Sequence, residues 1–427
     1  MKTFTVRQLC AEVDASAPGD LDCRALPELK RLIAISDRVP RGFLAWKDVF
    51  EGGDALSDDL LAERQGSCRE EDVVTLLYTS GTTGAPKGVM STHFGIINTT
   101  LASAENQRLT QEDRLCLSVP FSHMFGCICV TLAAVTKGAA LVIPSEAFDP
   151  KRTLEAIAKE RCTSIYGSPN AFIAMMEDPE YRRFDLKSLR TGVMGGAPCP
   201  LEVMKRIVEE MGAREIVIGY GQTEASSWVT MTRPDDPLEL RVSTVGRPLP
   251  NVEVKLIDPR SGQEVPTGAM GEICARGFNM KGYYKMPAAT ANAVDSEGWL
   301  HTGDLATMDG DGYVRVTGRL KEVIVKAGEA IYPTEIEELL FGHPKVSNVQ
   351  IFGVPSKLHG EEVAAWIKLE EGASATEEEI LEYCRGKLPD SRLPGYIKFV
   401  EAFPMTPLGK VQKFRMREIA VREYGLE

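Results

Sequence analysis

The sequence has no C-x-x-C pair, although cysteine occurs ten times, at positions 10, 23, 68, 116, 127, 129, 162, 199, 274 and 384. That spacing excludes a zinc ribbon and a thioredoxin-type redox motif. It also lacks a long apolar run: the longest, near Cys127 to Val135, falls well short of the roughly 20 residues that a membrane-spanning helix needs. Internal repeats and low-complexity tracts are absent, and the stretch Met1 to Asp20 has no pattern of a secretory leader. Basic charge is in deficit, with 49 Lys and Arg against 61 Asp and Glu and a formal net charge of -12. Nucleic acid and anionic membrane both reward clustered Lys and Arg, so neither is expected as the main partner, although a local basic groove for a small anion is compatible with this balance. Together these absences lead us to expect reduced, buried thiols in a cytoplasmic protein without a transmembrane segment.

What is present is a globular composition, 43% hydrophobic and 26% charged over 427 residues, which is enough chain for more than one domain. One stretch organises the rest: Thr79, Ser80, Gly81, Thr82, Thr83, Gly84, Ala85, Pro86, Lys87 and Gly88. The apolar run Val73 to Tyr78 reads as a strand feeding it, and Ser91 or Thr92 can cap a helix carrying Phe94, Ile96, Ile97 and Leu101. Glycines let the backbone approach a ligand and turn N–H groups inward, hydroxyls add donors, and Lys87 adds positive charge. Those are the parts of a phosphate cradle. It is not the G-x-x-x-x-G-K-[ST] loop, because Ala85 and Pro86 separate Gly84 from Lys87 and Gly88 occupies the hydroxyl position.

Downstream, strands and helices alternate. Leu115 to Pro120, Cys162 to Tyr166, Arg190 to Met194 and Ile216 to Tyr220 read as strands; Asp149 with Pro150 starts one helix, and Leu201 to Met211 has the apolar spacing of another. This pattern gives an α/β fold with a largely parallel sheet, whose ligands collect at the carboxyl ends of the strands. Glu224 follows one such end, where a carboxylate suits a magnesium-phosphate site. Turns at Asp258-Pro259, Ser261-Gly262 and Asp311-Gly312 mark a β-rich region, and Thr334-x-x-Glu337 and Thr376-x-x-Glu379 read as capping boxes that start two helices.

Thr79 to Gly88, Gly219-Tyr-Gly-Gln-Thr-Glu224, Thr302-Gly-Asp304, Gly318-Arg319-Leu-Lys321 and Pro407-Leu-Gly-Lys-Val-Gln-Lys413 fall in the order found in the adenylate-forming superfamily. That superfamily comprises acyl-CoA synthetases, luciferases and carrier-protein-loading adenylation domains. From about Leu29 to Glu418 the chain resembles it, most closely in the medium- and long-chain fatty acyl-CoA synthetase branch. The resemblance implies a large multi-subdomain N-terminal domain, residues 1–318, of parallel α/β sheets plus a β-rich subdomain. A small mobile α+β C-terminal domain, residues 319–427, would carry the catalytic lysine, Lys410. It further implies ATP, Mg²⁺ and coenzyme A, with Thr79, Ser80, Gly81, Thr82, Thr83, Gly84 and Lys87 around phosphate, and Gly196, Ala197, Pro198 and Gly221 also in the nucleotide set. Tyr220 matches an adenine-stacking ring, Thr223 a phosphate contact and Glu224 the metal-associated acid. Asp304 and Arg319 match the ribose contacts, Lys321 the hinge, Gly328 the loop at the thiol tunnel, and His123 a gate in the acyl wall. The reaction implied is adenylation of a carboxylic acid followed by transfer to coenzyme A, with loading of a carrier protein or a non-catalytic nucleotide-binding remnant as the alternatives.

Two departures accompany the likeness. Ala330 stands where relatives carry Asn in the segment Gly328-Glu-Ala-Ile-Tyr-Pro333. The chain also has on the order of a hundred fewer residues ahead of the phosphate loop than that family usually carries, which predicts uncovered apolar strands and hence self-association or a separate N-terminal fragment as partner.

Overall fold

The computed structural model describes residues 2–79, 86–197, 199–405 and 411–426. The expectations at Ser80, Gly81, Thr82, Thr83, Gly84, Pro198 and Lys410 therefore lie outside the described residues. The chain divides into two compact units, Met1–Glu70 and Glu71–Glu427. In the first, β1 (Ile33–Ala34) and β2 (Leu44–Ala45) pair in parallel, and a small core gathers Cys10, Val13, Leu21, Cys23 and Leu32. The ladder between β1 and β2 is short, with only two paired positions, Ile33 with Leu44 and Ala34 with Ala45.

The second unit opens with β3 (Val73–Thr79) and β4 (Lys87–Thr92), antiparallel, with Thr79 opposite Lys87. The loop is thereby closed at its base. Thr92 accepts the Gly95 N–H at 3.1 Å and starts the helix His93–Asn106. Next come β5 (Arg114–Cys116), β6 (Ala140–Val142), β7 (Ser164–Gly167), β8 (Thr191–Gly195) and β9 (Glu215–Gln222), all parallel to their neighbours, with β10 (Ser227–Met231) and β11 (Arg247–Pro248) added antiparallel. Their order is β11-β10-β9-β8-β7-β5-β6. Helices cover both faces, so alternate residues enter opposite cores: Ile165, Met194, Ile216 and Ile218 on one side, Tyr166, Val193 and Val217 on the other. Double burial is why these strands read as continuous apolar runs.

Asp149 accepts the Arg152 N–H at 2.8 Å, with Pro150 in the first turn, as expected. The strand expected to reach Pro120 stops at Cys116, just past which the Ser118 N–H turns back to the Cys116 carbonyl at 3.2 Å. The helix Leu201–Arg206 widens into one i→i+5 turn, Ile207–Met211, and ends at Gly212 with φ +83°.

The β-rich region is a four-stranded antiparallel sheet. It contains β12 (Glu253–Ile257) and β13 (Gly271–Arg276); the chain then leaves to place β14 (Gly282–Tyr283) against β4, and returns as β15 (Leu300–Met308) and β16 (Val314–Arg319). A further sheet holds β17 (Ile324–Lys326), β18 (Glu329–Ile331), β19 (Val346–Ser356), β20 (Gly360–Leu369) and β21 (Tyr396–Phe399), with its own cores around Ile351 and Trp366. Thr376 caps its helix by accepting the Glu379 N–H at 3.2 Å. The box expected at Thr334 does not form. Pro333 takes the first helical position after Tyr332, so Thr334 is already inside the helix, and Glu337 instead accepts from the Ile351 N–H and Lys413 Nζ, both at 2.8 Å.

All ten cysteines are unpaired; seven are buried, Cys127 and Cys199 are half-buried, and Cys68 is exposed, contrary to the expectation of uniform burial. Among the described residues no helix is long and apolar enough to cross a membrane.

The parallel sheet is tied at its amino end by Asp113, whose side chain is 3% exposed. It accepts from Arg190 Nη2 at 2.7 Å and Nε at 3.1 Å, Thr163 Oγ1 at 2.6 Å and the Thr110 N–H at 2.8 Å. Burial acts to raise its carboxyl, but the bonds from Arg190, Thr163 and Thr110 and the Arg190 charge outweigh it and hold it below the usual range. A carboxyl lowered on folding stabilises the fold above its unfolded pKa, about 3.9, and that contribution fades as pH falls through the folded value. Asp113→Asn is therefore expected to cost roughly 2 kcal/mol at pH 7, with the gap from wild type closing in acid. Urea unfolding at pH 7 and near pH 3 checks it; an equal gap at both would contradict the assignment.

Candidate active site

The site grows from the end of β9. Its buried Ile216, Val217 and Ile218 give way to the half-buried Tyr220, after which Thr223–Ala225 makes one tight turn. Tyr220 donates its hydroxyl to Asp304 Oδ2 at 2.8 Å, and Arg319 Nε donates to Asp304 Oδ1 at 3.0 Å. Asp304 and Arg319 are register partners in β15 and β16, so three expected residues from two sheets meet at one carboxylate. Burial, then the Asp304 charge, drives the Tyr220 phenol well above its ordinary value. The same charge raises Arg319, which stays a cation. At Lys321 desolvation and the neighbouring Arg319 charge lower the ammonium.

A second group gathers around Tyr283, which the sequence reading missed. Its hydroxyl donates to Glu224 Oε1 at 2.8 Å, and Lys87 Nζ stands over its ring, 4.8 Å from the centroid. Burial and the Glu224 charge raise the phenol. Tyr283 reaches this place because β14 pairs with β4 through Gly282 opposite Met90 and Tyr283 opposite Val89. Local sequence carries no signal for that pairing beyond an aromatic pair, Tyr283-Tyr284, on an otherwise polar turn. Glu224 offers one carboxylate with one oxygen oriented by a phenol, a donor set that fits Mg²⁺, which takes one or two carboxylates and leaves most positions to phosphate and water.

The stretch of β15 before Asp304, where its register against β13 shifts, has its own support, also unread in the sequence. Gly303 adopts φ +71°; its N–H donates to Glu272 Oε1 at 3.0 Å, while the other Glu272 oxygen lies 3.2 Å from His301 Nδ1. Thr302 Oγ1 donates to the Ile273 carbonyl at 2.8 Å and accepts the Asp304 N–H at 3.2 Å. Glu272 thus positions the backbone that presents Asp304.

The remaining expected residues are placed as follows. Thr79 and Lys87 flank the loop as partners in β3 and β4. Gly196, with φ +84°, and Ala197 are exposed just beyond β8. Gly221 packs so closely on β10 that a Cβ there would lie 1.8 Å from the Ser227 carbonyl oxygen. Thr223 starts the tight turn before Glu224. His123 Nδ1 accepts the Phe125 N–H at 3.1 Å, which leaves any single ring proton on Nε2. Gly328, φ +82°, and Ala327, φ +51°, form the two-residue turn between β17 and β18, a conformation that favours glycine.

The sequence profile of the AMP-binding enzymes matches residues 6–284, and that of the AMP-binding enzyme C-terminal domain matches residues 335–410. YngI of Bacillus subtilis (strain 168), which is named as an acyl-CoA synthetase, is 47% identical over 422 residues, covering 99% of this chain and 77% of the relative. The mitochondrial medium-chain acyl-CoA ligase ACSF2 of Danio rerio is 39% identical over 426 residues, 99% of this chain and 70% of its own. The crystal structure of ATP-bound MatB from Rhodopseudomonas palustris superposes with a TM-score of 0.77 at 30% identity, over 84% of this chain and 70% of that one.

If Glu272 positions the irregular stretch of β15 that presents Asp304, Glu272→Ala should weaken AMP binding by roughly tenfold, the loss of one charge-assisted hydrogen bond, with Asp304 itself intact. Calorimetric titration with AMP, set beside a thermal scan, reads the two effects separately. Unchanged affinity would remove Glu272 from the site.

Proposed function

The chain belongs to the AMP-binding enzyme family, and from that premise we propose that it is an ATP-dependent, AMP-forming acyl-CoA synthetase with the site residues identified above. The observation that carries the reading is the convergence of Tyr220 and Arg319 on Asp304 at the end of β9, one turn from Glu224. A carboxylate oxygen of the acid attacks the α-phosphorus of ATP and pyrophosphate leaves, giving an acyl-adenylate. The sulfur of coenzyme A, its proton lost, then attacks the acyl carbon and AMP leaves. Adenylation is needed because the free acid would have to expel oxide.

On this reading Asp304 and Arg319 take the ribose, Tyr220 stacks the base, and the loop from Thr79 to Lys87, with Thr223, takes phosphate. Glu224 would hold Mg²⁺, which when bound supplies charge neutralisation to the departing pyrophosphate. Lys410 meets the charge that develops on the α-phosphate. Residues 319–427 act as the mobile domain, turning about Lys321 between the two steps, and the Gly328 turn then faces the thiol. The free state of all ten cysteines supports a reducing, cytoplasmic setting. β3 supports self-association: it is an edge strand with Val73, Leu76 and Tyr78 exposed.

The acyl chain has a wall of its own in this reading. Phe125, hydrogen-bonded to His123, meets Trp228 edge-on at 5.5 Å between ring centroids and Tyr166 at 6.1 Å. The Trp228 indole lies against Gly219, where a Cβ would approach it to 2.6 Å, and near Gly195. Trp228 is thus the floor that limits how far an acid reaches past His123.

Two tests follow. Lys410→Ala should slow acid-dependent pyrophosphate release by roughly a hundredfold while supplied acyl-adenylate still yields thioester; equal loss of both half-reactions would count against the role of Lys410. Trp228→Gly should move the preferred acid to longer chains, since each methylene newly buried is worth about 0.8 kcal/mol, roughly fourfold in kcat/KM. A homologous series of straight-chain acids reads it, and an unaltered length profile would remove Trp228 from the wall.

A further inference from the structure

Cys10, Glu12 and Cys23 bring two thiol sulfurs and a carboxylate oxygen within 4.8 Å of one another. All three belong to the first compact unit. Cys10 immediately precedes the tight turn Ala11–Ala15, and Cys23 follows Leu21, whose N–H is bonded to the Lys30 carbonyl at 2.9 Å. The two cysteines are 1% and 0% exposed, whereas Glu12 is half-buried. A mixed cluster of this kind differs from ordinary packing of thiols. Cys116 and Cys162, also fully buried, sit in the main core among apolar side chains.

The geometry is that of a metal edge. Cys10 Sγ lies 3.5 Å from Glu12 Oε2; around a tetrahedral zinc ion with Zn–S of about 2.3 Å and Zn–O of about 2.1 Å, a sulfur and an oxygen stand about 3.6 Å apart. A structural need is visible too. Among the described residues the buried core of this unit is five side chains, two of them these cysteines, and cores so small are commonly held by a disulfide or a metal. Among the described residues the other cluster of potential ligands is Glu272, Cys274 and His301, where Glu272 is engaged by the Gly303 N–H and His301.

We propose that Cys10, Glu12 and Cys23 bind one Zn²⁺ ion through two thiolates and a carboxylate, with a fourth position open to water on the Glu12 side. Binding releases the two thiol protons, so affinity rises with pH. The site is independent of the acyl-CoA synthetase reading, and it stands or falls without an activity measurement.

The test uses the full-length chain with reduced thiols. Titration with Co²⁺ should give thiolate-to-cobalt charge-transfer absorption at one ion per chain, discharged by one equivalent of Zn²⁺. Cys23→Ser should lose that band and at least tenfold in zinc affinity, and Cys68→Ser should change neither. Glu12→Gln keeps both sulfurs and the core; it should bind zinc about tenfold more weakly with altered cobalt d–d bands, and it decides the matter if Cys23→Ser does not fold. Absence of the charge-transfer band in the wild type, or its persistence in Cys23→Ser, overturns the proposal.

Discussion

One buried carboxylate, Asp304, is the joint on which the geometry of the site depends. A charge removed from water is costly unless its lone pairs are filled, and Asp304 fills them with the Tyr220 hydroxyl from the parallel sheet and the Arg319 guanidinium from its antiparallel neighbour. The two sheets already share a small apolar core, Val229 with Ala275 and Leu300, and Asp304 adds a polar tie between them. Both donors are also the groups that a nucleotide would meet in the proposed reading, so ribose hydroxyls arriving at Asp304 must share the oxygens that Tyr220 and Arg319 already engage. Ligand binding is then an exchange of hydrogen bonds within a preformed set, which keeps the reorganisation small.

The charges around Glu224 are arranged by the same logic. The Tyr283 ring stands between a cation and an anion: its face receives Lys87 and its hydroxyl satisfies Glu224. Each charge has a partner that is neutral and only moderately strong. A phosphate or a divalent cation can therefore replace that partner without first breaking a direct Lys–carboxylate pair, which would be far more tightly held.

Much of this was legible in the residues. Strands buried on both faces show as apolar runs, and so β7, β8 and β9 could be placed within a residue or two; Thr92, Asp149 and Thr376 cap helices as their side chains predict. Tyr220, Glu224, Asp304 and Arg319 could be singled out because each sits in a short motif, and the structure brings Tyr220, Asp304 and Arg319 together; their roles belong to the proposed reading. What escaped depends on pairing between distant segments. Tyr283 matters only because β14 lies beside β4, and Glu272 only because β13 lies beside β15; neither carries a local signature. Thr334 shows the reverse error, a valid local capping pattern overruled by Pro333, whose fixed φ suits the first helical position better.

The pairing of β14 with β4 has a consequence for how the protein is made. During synthesis Lys87 leaves the ribosome about 200 residues ahead of Tyr283, an interval of roughly 10 to 40 s at ordinary elongation rates. Throughout it, β4 has β3 on one edge and nothing yet on the other, and Glu224 emerges before the phenol that will satisfy it. The rim around Lys87 and Glu224 is thus closed late, by the two-residue strand that completes the β14-β4-β3 sheet. Folding of the nascent chain would pass through a stage in which the parallel core is complete but its ligand-facing rim is still open, and that stage is where chaperone engagement or a pause in translation would have its greatest effect.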